Sequence, residues 1–598
     1  MAIKQLEKIT LYGPREEKAP ILKGLQELGC MHLIPLVKKS SNASLRTQPA
    51  EVSETLAWLE RSPRKRRQVS NKNSVVIDNI IKDVLGNKTA TRKLSDKRDK
   101  LEERIREVRP WGYFAFPDLS ELNGNRLWFY VIPNAEMNSL DKLQLPWETI
   151  HQNLKDSYVI VISEQEPDEN LLPVPRSHIG QYSLAQLEAM LEESEQRLED
   201  LTAERESLTR WRYLLEQSLA ARQDNAALEQ ACTTTQDEDE FFLVQGWVPI
   251  TEKAAVESFT VQHSAAVLFE KPSEDDNPPT ILDNPNSTGG GADAMTFFQM
   301  PSYRSWDPGN AVFYSFALFF AMIMSDVMYS SIFGLILLLF RKKLTATQSG
   351  KRLMNMGLFM SGLGIIWGVL IGSYFGIAPS PNSLLGSVAV LNLDDYDSMM
   401  RLSVMIGVAH LVIANLATAW VNRSKLYALA PIGWAVLLVG GLCLWLGKIG
   451  TLAQVWKETF GPGLMITGGL LVFLFTSTHP INKASDLLWR MLDGFKAIYN
   501  VSAAFGDVLS YLRLFALGLS GASLALTFNG LAADALEAMP VLGVLFAGLI
   551  LLLGHALNFA LCLMSGVIHG MRLNVIEFFN WGLSDEGYPF KAFSKKED

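Results

Sequence analysis

The sequence predicts a mostly α-helical protein in two parts: an N-terminal cytoplasmic α+β dumbbell with an antiparallel coiled coil, and a C-terminal membrane domain of eight transmembrane helices, the last two long and tilted. Three observations support this fold class. Residues 1–300 have a charged, mixed composition, whereas residues 308–582 form long apolar blocks with few charges, which is typical of a soluble part joined to a membrane part. Two N-terminal segments have heptad spacing. The last two apolar blocks exceed the length that a bilayer requires.

Composition argues against several classes of function for this chain of 598 residues. A net charge of −9 without a basic stripe argues against nucleic-acid binding. The four cysteines are scattered and form no CxxC motif, so neither a disulfide framework nor a zinc site is indicated. The sequence also lacks a GxxxxGK[ST] loop and a His/Glu cluster with zinc-site spacing. We therefore expect no ATP site, metal or cofactor, and no independent catalytic activity.

A base globule is predicted at the start of the dumbbell, which covers residues 1–295. Residues 5–37 have the pattern of a strand, a helix and a second strand, and EFFLVQGWVPI (240–250) returns the chain to this base. The N-terminus, MAIKQLEKITLYG, lacks the apolar core of a signal peptide, so we expect this half to stay in the cytoplasm. Residues 272–292, rich in Pro, Gly, Asn and Asp, are typical of a linker.

Two segments with heptad spacing predict the shaft of the dumbbell. The first has apolar residues at steps of seven, four and three: Leu94, Leu101, Ile105 and Val108. The second repeats the pattern with Leu184, Leu187, Leu191, Leu198, Leu201, Leu208, Trp211 and Leu215. Because about seventy residues separate them, we predict an antiparallel coiled coil (about 75–109 and 183–222). A tip globule (about 110–182) would contain the strand-like RLWFYVIP and SYVIVISEQ. A generic coiled-coil spacer would explain the heptads alone equally well.

Seven apolar blocks make up the membrane domain, residues 296–582: 308–340, 354–376, 402–420, 427–447, 462–478, 497–530 and 541–580. Basic loops face the cytoplasm, and the loop at 341–352 carries five basic residues. A cytoplasmic N-terminus therefore requires two crossings within 308–340, with a turn near Ser325 and Asp326. Eight crossings leave both termini in the cytoplasm, including the tail at 583–598, and every loop except 448–461 follows the charge rule.

The last two blocks are too long for upright helices. At 1.5 Å per residue, 497–530 would span ~50 Å and 541–580 would span ~60 Å, against a hydrocarbon core of about 30 Å. Bilayer mismatch alone produces only modest tilt. We therefore predict strongly tilted helices that run along a partner surface.

Both long helices carry a polar face. On the last one, steps of three and four place six side chains on one side: His555, Asn558, Cys562, Ser565, His569 and Arg572. The preceding helix approximates a similar face with Ser510, Arg513, Ser520, Ser523 and Thr527. Elsewhere, His410 and Asn415 are expected to be packing residues that join helices.

Arg513 is the most demanding of these residues. It lies about sixteen residues from either end of its block, roughly 24 Å of helix, so its side chain cannot reach water along an upright helix. A buried arginine costs from about 3 to over 10 kcal/mol, which a carboxylate or a water-filled cavity must offset. Asp326, Asp507 and Glu577 are the candidates on this chain, and a partner protein is another source. Simple hydrogen bonding between helices is the competing explanation.

These features resemble the membrane stator subunit of rotary V/A-type ATPases, called subunit a or subunit I, in its prokaryotic form. The resemblance covers nearly the whole chain and rests on five segments: GDVLSYLRLFALGLS (506–520), IHGMRLNVIEFFNW (568–581), QGWVP (245–249), PSYRSWDPG (301–309) and GSYFG (372–376). The combination of YLRLFALGL with HGMRLNVIEF is specific to that family. The resemblance implies ion translocation, with the long helices against a rotating ring of hairpin subunits that each carry a buried carboxylate.

By this resemblance, Arg513 faces the ring and keeps each passing carboxylate ionised, and Arg572 assists it. Two half-channels for H⁺ or Na⁺ would be lined by Ser510, Ser520, Ser523, His555, Asn558, Ser565, His569, Glu577 and Asp507. The implied partners are the rotor ring (c/K type), peripheral stalk subunits (E/G type) anchored by the dumbbell, a central-axle base subunit (C/d type) and the lipid of the cell inner membrane.

The chain departs from the eukaryotic pattern at three places. Gly521 stands where a histidine is common, Cys562 stands where an acid is common, and SDVMYS (325–330) replaces GDxGYG. The sequence does not specify the external half-channel lining, the transported ion, the direction of ATP chemistry, the number of stalks or the ring size. The alternative functions are a secondary ion transporter with a cytoplasmic coiled-coil arm and a membrane scaffold. No inverted repeat favours the transporter, and a scaffold does not explain two stripes with arginines.

Overall fold

The structure is a computed structural model, and it describes residues 3–37, 43–69, 77–114, 122, 124–142, 144–168, 172–380, 382–391, 395–450, 455–477, 479, 484–538, 542–583 and 585–596. Within these ranges the chain forms eight strands: β1 (Leu6–Pro14), β2 (His32–Ile34), β3 (Arg126–Pro133), β4 (Trp147–Gln152), β5 (Asp156–Ser163), β6 (Gln236–Glu238), β7 (Phe241–Pro249) and β8 (Ala266–Glu270).

The same ranges contain twenty α-helices, so the protein is mostly helical, as predicted. They are α1 (Lys18–Leu28), α2 (Ala43–Glu60), α3 (Ile77–Val108), α4 (Leu184–Leu208), α5 (Arg212–Thr234), α6 (Lys253–Gln262), α7 (Gly289–Thr296), α8 (Gly309–Met324), α9 (Val327–Leu339), α10 (Arg341–Leu344), α11 (Gln348–Ile371), α12 (Leu384–Val388), α13 (Tyr396–Val421), α14 (Leu429–Lys448), α15 (Gly461–Phe475), α16 (Ala484–Tyr499), α17 (Val501–Ser510), α18 (Leu512–Ala538), α19 (Gly543–Arg572) and α20 (Phe579–Gly582).

The chain divides into two compact units. The first contains residues 1–13, 30–34 and 243–592, and the second contains residues 14–29, 35–242 and 593–598. Residues 243–592 all fall in one unit. The division into compact units therefore does not test the boundary between the two domains that the sequence predicts near residue 295.

The shaft predicted from the heptads is an antiparallel helix pair in the second unit. At one end Ile105 of α3 packs with Leu184 and Leu187 of α4. Toward the other end, the Asn87 side chain of α3 donates to the Leu201 carbonyl of α4. Residue numbers rise along one helix as they fall along the other, which confirms the antiparallel coiled coil.

Two further helices extend the shaft beyond the prediction. α5 continues the second arm to Thr234, past the predicted end at residue 222. α2, for which the heptad pattern gave no signal, packs on α3 and α5 through Val52 and Leu59. Residues 75 and 76 of the predicted coiled coil lie outside the described residues.

The tip contains a three-stranded antiparallel sheet in the order β3-β5-β4. β3 and β5 coincide with the two predicted strand-like segments. β4 was not predicted because most of its side chains are exposed, so its sequence lacks apolar alternation. Residues 115–121, 123, 143 and 169–171 of the predicted tip lie outside the described residues.

The first unit contains a sheet in the order β2-β7-β1-β8, in which β7 runs antiparallel to β2 and β8 runs antiparallel to β1. The predicted return strand is β7, and it places Trp247 opposite His32. Gly246, in QGWVP, is required by close packing, because a Cβ there would lie 2.6 Å from the His32 carbonyl oxygen.

Residues 272–292 are packed, which corrects the linker prediction. Thr280 and Asn284 are buried, and α7 begins inside the segment and packs against α8 and α11. A Cβ at Gly291 would lie 2.2 Å from the Gly309 carbonyl oxygen. The glycines that suggested flexibility instead allow two helices to approach closely.

Residues 588–591, which follow the last helix, pack against other residues of the first unit. The Thr280 amide donates to the Tyr588 carbonyl at 2.9 Å, and the Phe590 amide donates to the Thr280 carbonyl at 3.1 Å. The His32 ring contacts the Tyr588 and Phe590 rings, with centroids 5.8 Å and 5.5 Å away. His32 Nδ1 also accepts a hydrogen bond from the Lys591 amide at 2.9 Å.

Within the described residues, six helical segments are long and apolar enough to cross a bilayer: Gln348–Ile371, Tyr396–Val421, Leu426–Lys448, Glu458–Phe475, Asp486–Ala538 and Gly543–Gly582. Two shorter apolar helices, α8 and α9, precede them. The last two segments have 53 and 40 residues, or ~80 Å and ~60 Å of helix. The first of these is longer than predicted because it includes most of the amphipathic helix α16, which begins before residue 497.

The two short helices form the predicted hairpin. Ser325 adopts a left-handed conformation that ends α8, and the Asp326 side chain caps α9. α9 runs antiparallel to α11, since Val327 lies against Gly368 and Leu337 lies against Gly357. α8 runs parallel to α11. Phe313, near the start of α8, packs on Phe359, and Ala321, near the end of α8, lies against Gly364, which is further along α11.

Asn87 joins three groups in the shaft: its Oδ1 accepts from Trp58 Nε1 at 3.3 Å, and its Nδ2 donates to the Leu201 carbonyl and to Glu204 Oε2, each at 2.9 Å. Asn87→Ala leaves these partly buried groups unmatched, at a cost of about 1–3 kcal/mol. We expect amide hydrogen exchange in α3 and α4 of the full-length protein to accelerate by about five- to a hundredfold. Arg92→Ala, on the exposed face of α3, is the control. Unchanged exchange in Asn87→Ala would contradict the expectation.

Burial and the Lys591 charge lower the pKa of His32 below its ordinary value. A protonated imidazole has no acceptor nitrogen, so it cannot accept the Lys591 amide hydrogen. His32 binds a proton more readily when the segment around Lys591 is released. The contact of this segment with His32 is therefore complete above about pH 6.5 and weakens as the pH falls below that value. We expect the Lys591 amide to exchange about tenfold faster at pH 5 than at pH 7, after correction for intrinsic rates. His32→Gln keeps an acceptor without titrating and should lack this change. A pH-independent corrected rate in the unaltered protein would refute the idea.

Candidate functional site

The candidate site lies on the antiparallel pair α18 and α19, whose backbones approach closely at glycines. A Cβ at Gly521 would lie 2.7 Å from Cys562 Sγ, and a Cβ at Gly554 would lie 2.4 Å from the Phe528 ring. Gly521 and Cys562, two of the departures from the eukaryotic pattern, are therefore in contact. A larger side chain at one position requires a change at the other.

α19 leads into a π-helical turn, Leu573–Phe578, directly after Arg572. Hydrogen bonds in such a turn join residues five apart, which brings side chains at that spacing toward one face. Arg572 and Glu577 are five residues apart, and Glu577 contacts both Arg572 and Arg513 of α18. The turn therefore aligns two charged groups that an ordinary α-helix would separate.

These three residues form a charge cluster. Arg513 Nη2 lies 3.5 Å from Glu577 Oε1, and Arg572 Nε lies 4.0 Å from the same oxygen. The Glu577 side chain is 2% exposed, whereas Arg513 is 22% and Arg572 is 52% exposed. His569 lies near both arginines. Of the three carboxylates that the sequence offered to Arg513, Glu577 is the one that contacts it.

The other two carboxylates have different partners. Asp507 Oδ2 accepts a hydrogen bond from Trp581 Nε1 at 2.7 Å, which ties α17 to α20. Asp326 accepts from two backbone amides at the start of α9 and from two groups in GSYFG: Met328, Tyr329, Ser373 and Gly376. Among the described residues, neither carboxylate forms an ion pair with Arg513.

A second polar cluster lies between α9, α18 and α19. The Tyr329 hydroxyl lies 2.8 Å from His555 Nδ1 and accepts from Asn558 Nδ2 at 3.0 Å. His555 Nε2 lies 3.0 Å from Asn529 Oδ1, and Asn558 Nδ2 also donates to the Gly521 carbonyl at 2.8 Å. Because the Asn529 oxygen only accepts, Nε2 of His555 carries the hydrogen and Nδ1 accepts from the tyrosine hydroxyl.

The predicted stripe on α19 is thus divided between the two clusters. His555 and Asn558 belong to the second cluster, and His569 and Arg572 belong to the first. Ser565 is half-buried between them.

The predicted stripe on α18 follows its outer side. Ser520 and Ser523 are exposed, and Ser510 is half-buried with its Oγ 3.2 Å from the Gly506 carbonyl oxygen. These serines share the side of the helix pair on which Arg513 is partly exposed.

Tyr329 and Asn529 are polar partners that the sequence analysis missed. A signal for Tyr329 was present, because it occupies the tyrosine position of the segment that resembles GDxGYG. Asn529 accepts from His555 and donates to the Phe375 carbonyl at 2.9 Å, but an asparagine near a helix end carries no distinctive pattern.

His410 is a packing residue, as predicted. It is buried, its Nδ1 lies 2.8 Å from the Tyr511 hydroxyl, and its ring stacks on Phe578 with centroids 4.2 Å apart. Asn415 is also buried and donates to the carbonyl of Leu411 on its own helix.

No protein-family model matches the chain. The chain is similar to the V-type ATP synthase subunit I of Chlamydia pneumoniae, with 26% identity over 87% of this chain and 86% of the relative. It is 24% identical to the V-type ATP synthase subunit I of Borreliella burgdorferi over 99% of both chains. The A-type ATP synthase subunit I of Methanocaldococcus jannaschii is 24% identical over 74% of this chain and 69% of the relative.

Among solved structures, the cytoplasmic N-terminal domain of subunit I, homolog of subunit a, of V-ATPase is 13% identical over 44% of this chain and 99% of that chain, with a TM-score of 0.21. The full-length relatives confirm the resemblance found in the sequence. Together with the six long apolar helices of the described residues, they indicate a multi-pass membrane protein. The chain is thus similar over most of its length to subunit I of V-type and A-type ATP synthases.

Proposed function

We propose that the chain is the ion-translocating stator subunit of a rotary V/A-type ATPase. Similarity to subunit I of V-type ATP synthases supports a role as a rotary ATPase subunit. The observation that carries the more specific proposal is the position of Arg513. A permanently charged group lies partly exposed on one side of a helical segment that is far longer than a bilayer is thick.

The side of α18 that carries Arg513 consists of small, exposed side chains. They recur at steps of three and four from the arginine: Ala516, Ser520, Ser523 and Thr527. Small side chains allow a neighbouring helix to approach closely within a membrane. A rotor ring of helical hairpins fits this surface, because such a ring must slide past it and bring one buried carboxylate at a time to Arg513.

Arg513 would control the charge of each visiting carboxylate. A cation within about 4–6 Å favours the ionised form of a carboxyl group, so a ring carboxylate releases its H⁺ or Na⁺ before it meets the arginine. After passing, it binds an ion again from the other side of the membrane. Arginine suits this role because it stays protonated at any working pH. A loaded, neutral carboxyl is not stabilised at Arg513, which prevents ions from leaking around the ring.

The two polar clusters provide candidate linings for two half-channels. On the cytoplasmic side we assign Ser510, Asp507, His569, Arg572 and Glu577. On the external side we assign His555 and Asn558, together with Tyr329 and Asn529. Ser520, Ser523 and Ser565 lie between these groups and complete the proposed linings.

The remaining partners follow from the family. The N-terminal half would anchor peripheral stalk subunits and contact the central-axle base subunit, so that it resists the torque of the ring. The chain would lie in the cell inner membrane with both termini in the cytoplasm.

Arg513→Ala removes the charge that holds a visiting carboxylate ionised. We expect ATP-driven ion uptake by membrane vesicles to fall at least about a hundredfold, while the complex still assembles. Assembly is measured by co-purification of the ring and the ATP-hydrolysing subunits. Arg423→Ala, which removes an arginine that stacks on Trp420 away from the site, is the control and should retain uptake. Persistent uptake in Arg513→Ala would refute the assigned role.

Arg513→Lys keeps a positive charge but replaces a planar fork with a point charge that can lose its proton. We expect uptake below about a tenth of the unaltered rate, again with normal assembly. The measurement is the initial rate of uptake per assembled complex. A rate close to the unaltered one would show that positive charge alone is sufficient.

A further inference from the structure

The charge cluster contains two arginines and one carboxylate, which leaves a formal excess of one positive charge. We infer that Glu577 is a positioning residue, the fixed counter-ion of Arg513 and Arg572, which sets the net charge of the site at +1 so that one ring carboxylate completes it. This role is additional to the place of Glu577 in the proposed cytoplasmic half-channel, and it rests on the proposed function of Arg513.

The geometry gives Glu577 a central place. A single oxygen, Oε1, is shared by Arg513 at 3.5 Å and Arg572 at 4.0 Å, and the carboxylate is 2% exposed. A buried carboxylate without cationic partners is costly in a membrane, so Glu577 depends on the arginines as much as they depend on it. Glu577 lies in the π-helical turn that follows α19, and Arg513 lies on α18. The contact between them therefore holds the Arg513 guanidinium from the neighbouring helix.

The contact leaves hydrogen-bonding capacity unused. Strong guanidinium–carboxylate pairs are bidentate, with N–O distances of about 2.7–2.9 Å, and both contacts to Glu577 are longer. Within the described part of the chain, Arg513 Nη1 and Glu577 Oε2 have no hydrogen-bond partner. Nη1 is buried, whereas the Arg513 side chain as a whole is 22% exposed, so a carboxylate that arrives from outside approaches the exposed part of this side chain while Glu577 stays beside Nη2.

Neighbouring titratable groups do not cancel the excess charge. In the described residues Asp507 forms no ion pair with either arginine and is held by Trp581 instead. A proton on His569 would be repelled by both arginines, so this ring is counted as neutral. From α13, His410 faces the Tyr511 hydroxyl and packs on Phe578 instead of reaching the cluster.

The net charge predicts opposite effects for the two neutral substitutions. Glu577→Gln raises the charge of the site to +2, which holds a ring carboxylate too firmly for it to leave. Arg572→Gln lowers the charge to zero, which weakens the attraction for the incoming carboxylate. The double substitution restores +1. Compensation between the two is a signature of charge balance that a purely structural role for Glu577 does not produce.

The experiment compares four variants of the complete complex in membrane vesicles: E577Q, R572Q, R572Q/E577Q and E577D. The readout is the initial rate of ATP-driven uptake per assembled complex, followed with a pH-sensitive dye for H⁺ and with radioactive Na⁺ for Na⁺. We expect each single neutral variant to lose about tenfold or more. We expect the double variant to be at least about fivefold faster than either, and E577D to retain most of the rate because it keeps the charge.

The inference is overturned if E577Q transports normally, or if the double variant is no faster than the faster of the two single variants. If the single variants assemble poorly, the amount of assembled complex is compared in the same way, and a double variant that assembles no better also overturns it. Arg513→Ala separates the two levels of the proposal. Retained uptake in Arg513→Ala refutes the proposed function itself, whereas loss there without compensation in the double variant refutes only the role of Glu577.

Discussion

One ion contact between two helices organises the membrane part of this protein. A guanidinium group stays protonated at every accessible pH, so Arg513 on α18 needs a carboxylate or water beside it to offset the cost of its charge. Glu577 provides a carboxylate from beyond the end of α19, and the contact joins this end of the chain to α18. The close glycine contact at Gly521 keeps the backbones near enough for the side chains to meet. Packing and electrostatics therefore depend on the same helix interface.

The two polar clusters on this interface differ in how completely they are bonded. Tyr329, His555 and Asn558 bond mainly to one another and to groups of the same chain, as expected for a network that specifies one arrangement. Counted over the part of the chain that the structure describes, the charge cluster has donor and acceptor atoms without partners and a formal excess of one positive charge. The second polar cluster can hold the helices in place, and the charge cluster can bind a mobile group that comes and goes.

Much of the architecture could be predicted from the sequence because it depends on periodicity and charge. Heptads gave the antiparallel shaft, basic loops gave the α8–α9 hairpin, and helical spacing placed Arg513 and Arg572 on polar faces. Features that depend on tertiary packing were missed. The glycines at 289–291 suggested a linker but instead allow close helix contact, and the exposed strand β4 had no apolar alternation. Helical spacing also treated the α19 stripe as one face, whereas partners on α9 and α18 divide it into two clusters.

The π-helical turn at Leu573–Phe578 also limits how this part of the chain can vary. It accommodates an additional residue relative to a regular helix, so a variant that keeps the length but folds this segment as an ordinary α-helix would turn everything downstream by about 100°. The Phe578 ring would leave His410, and Trp581 would lose Asp507. The backbone geometry of this segment is therefore constrained together with its length, and viable variants should either keep the π-helical turn or lose it together with one residue.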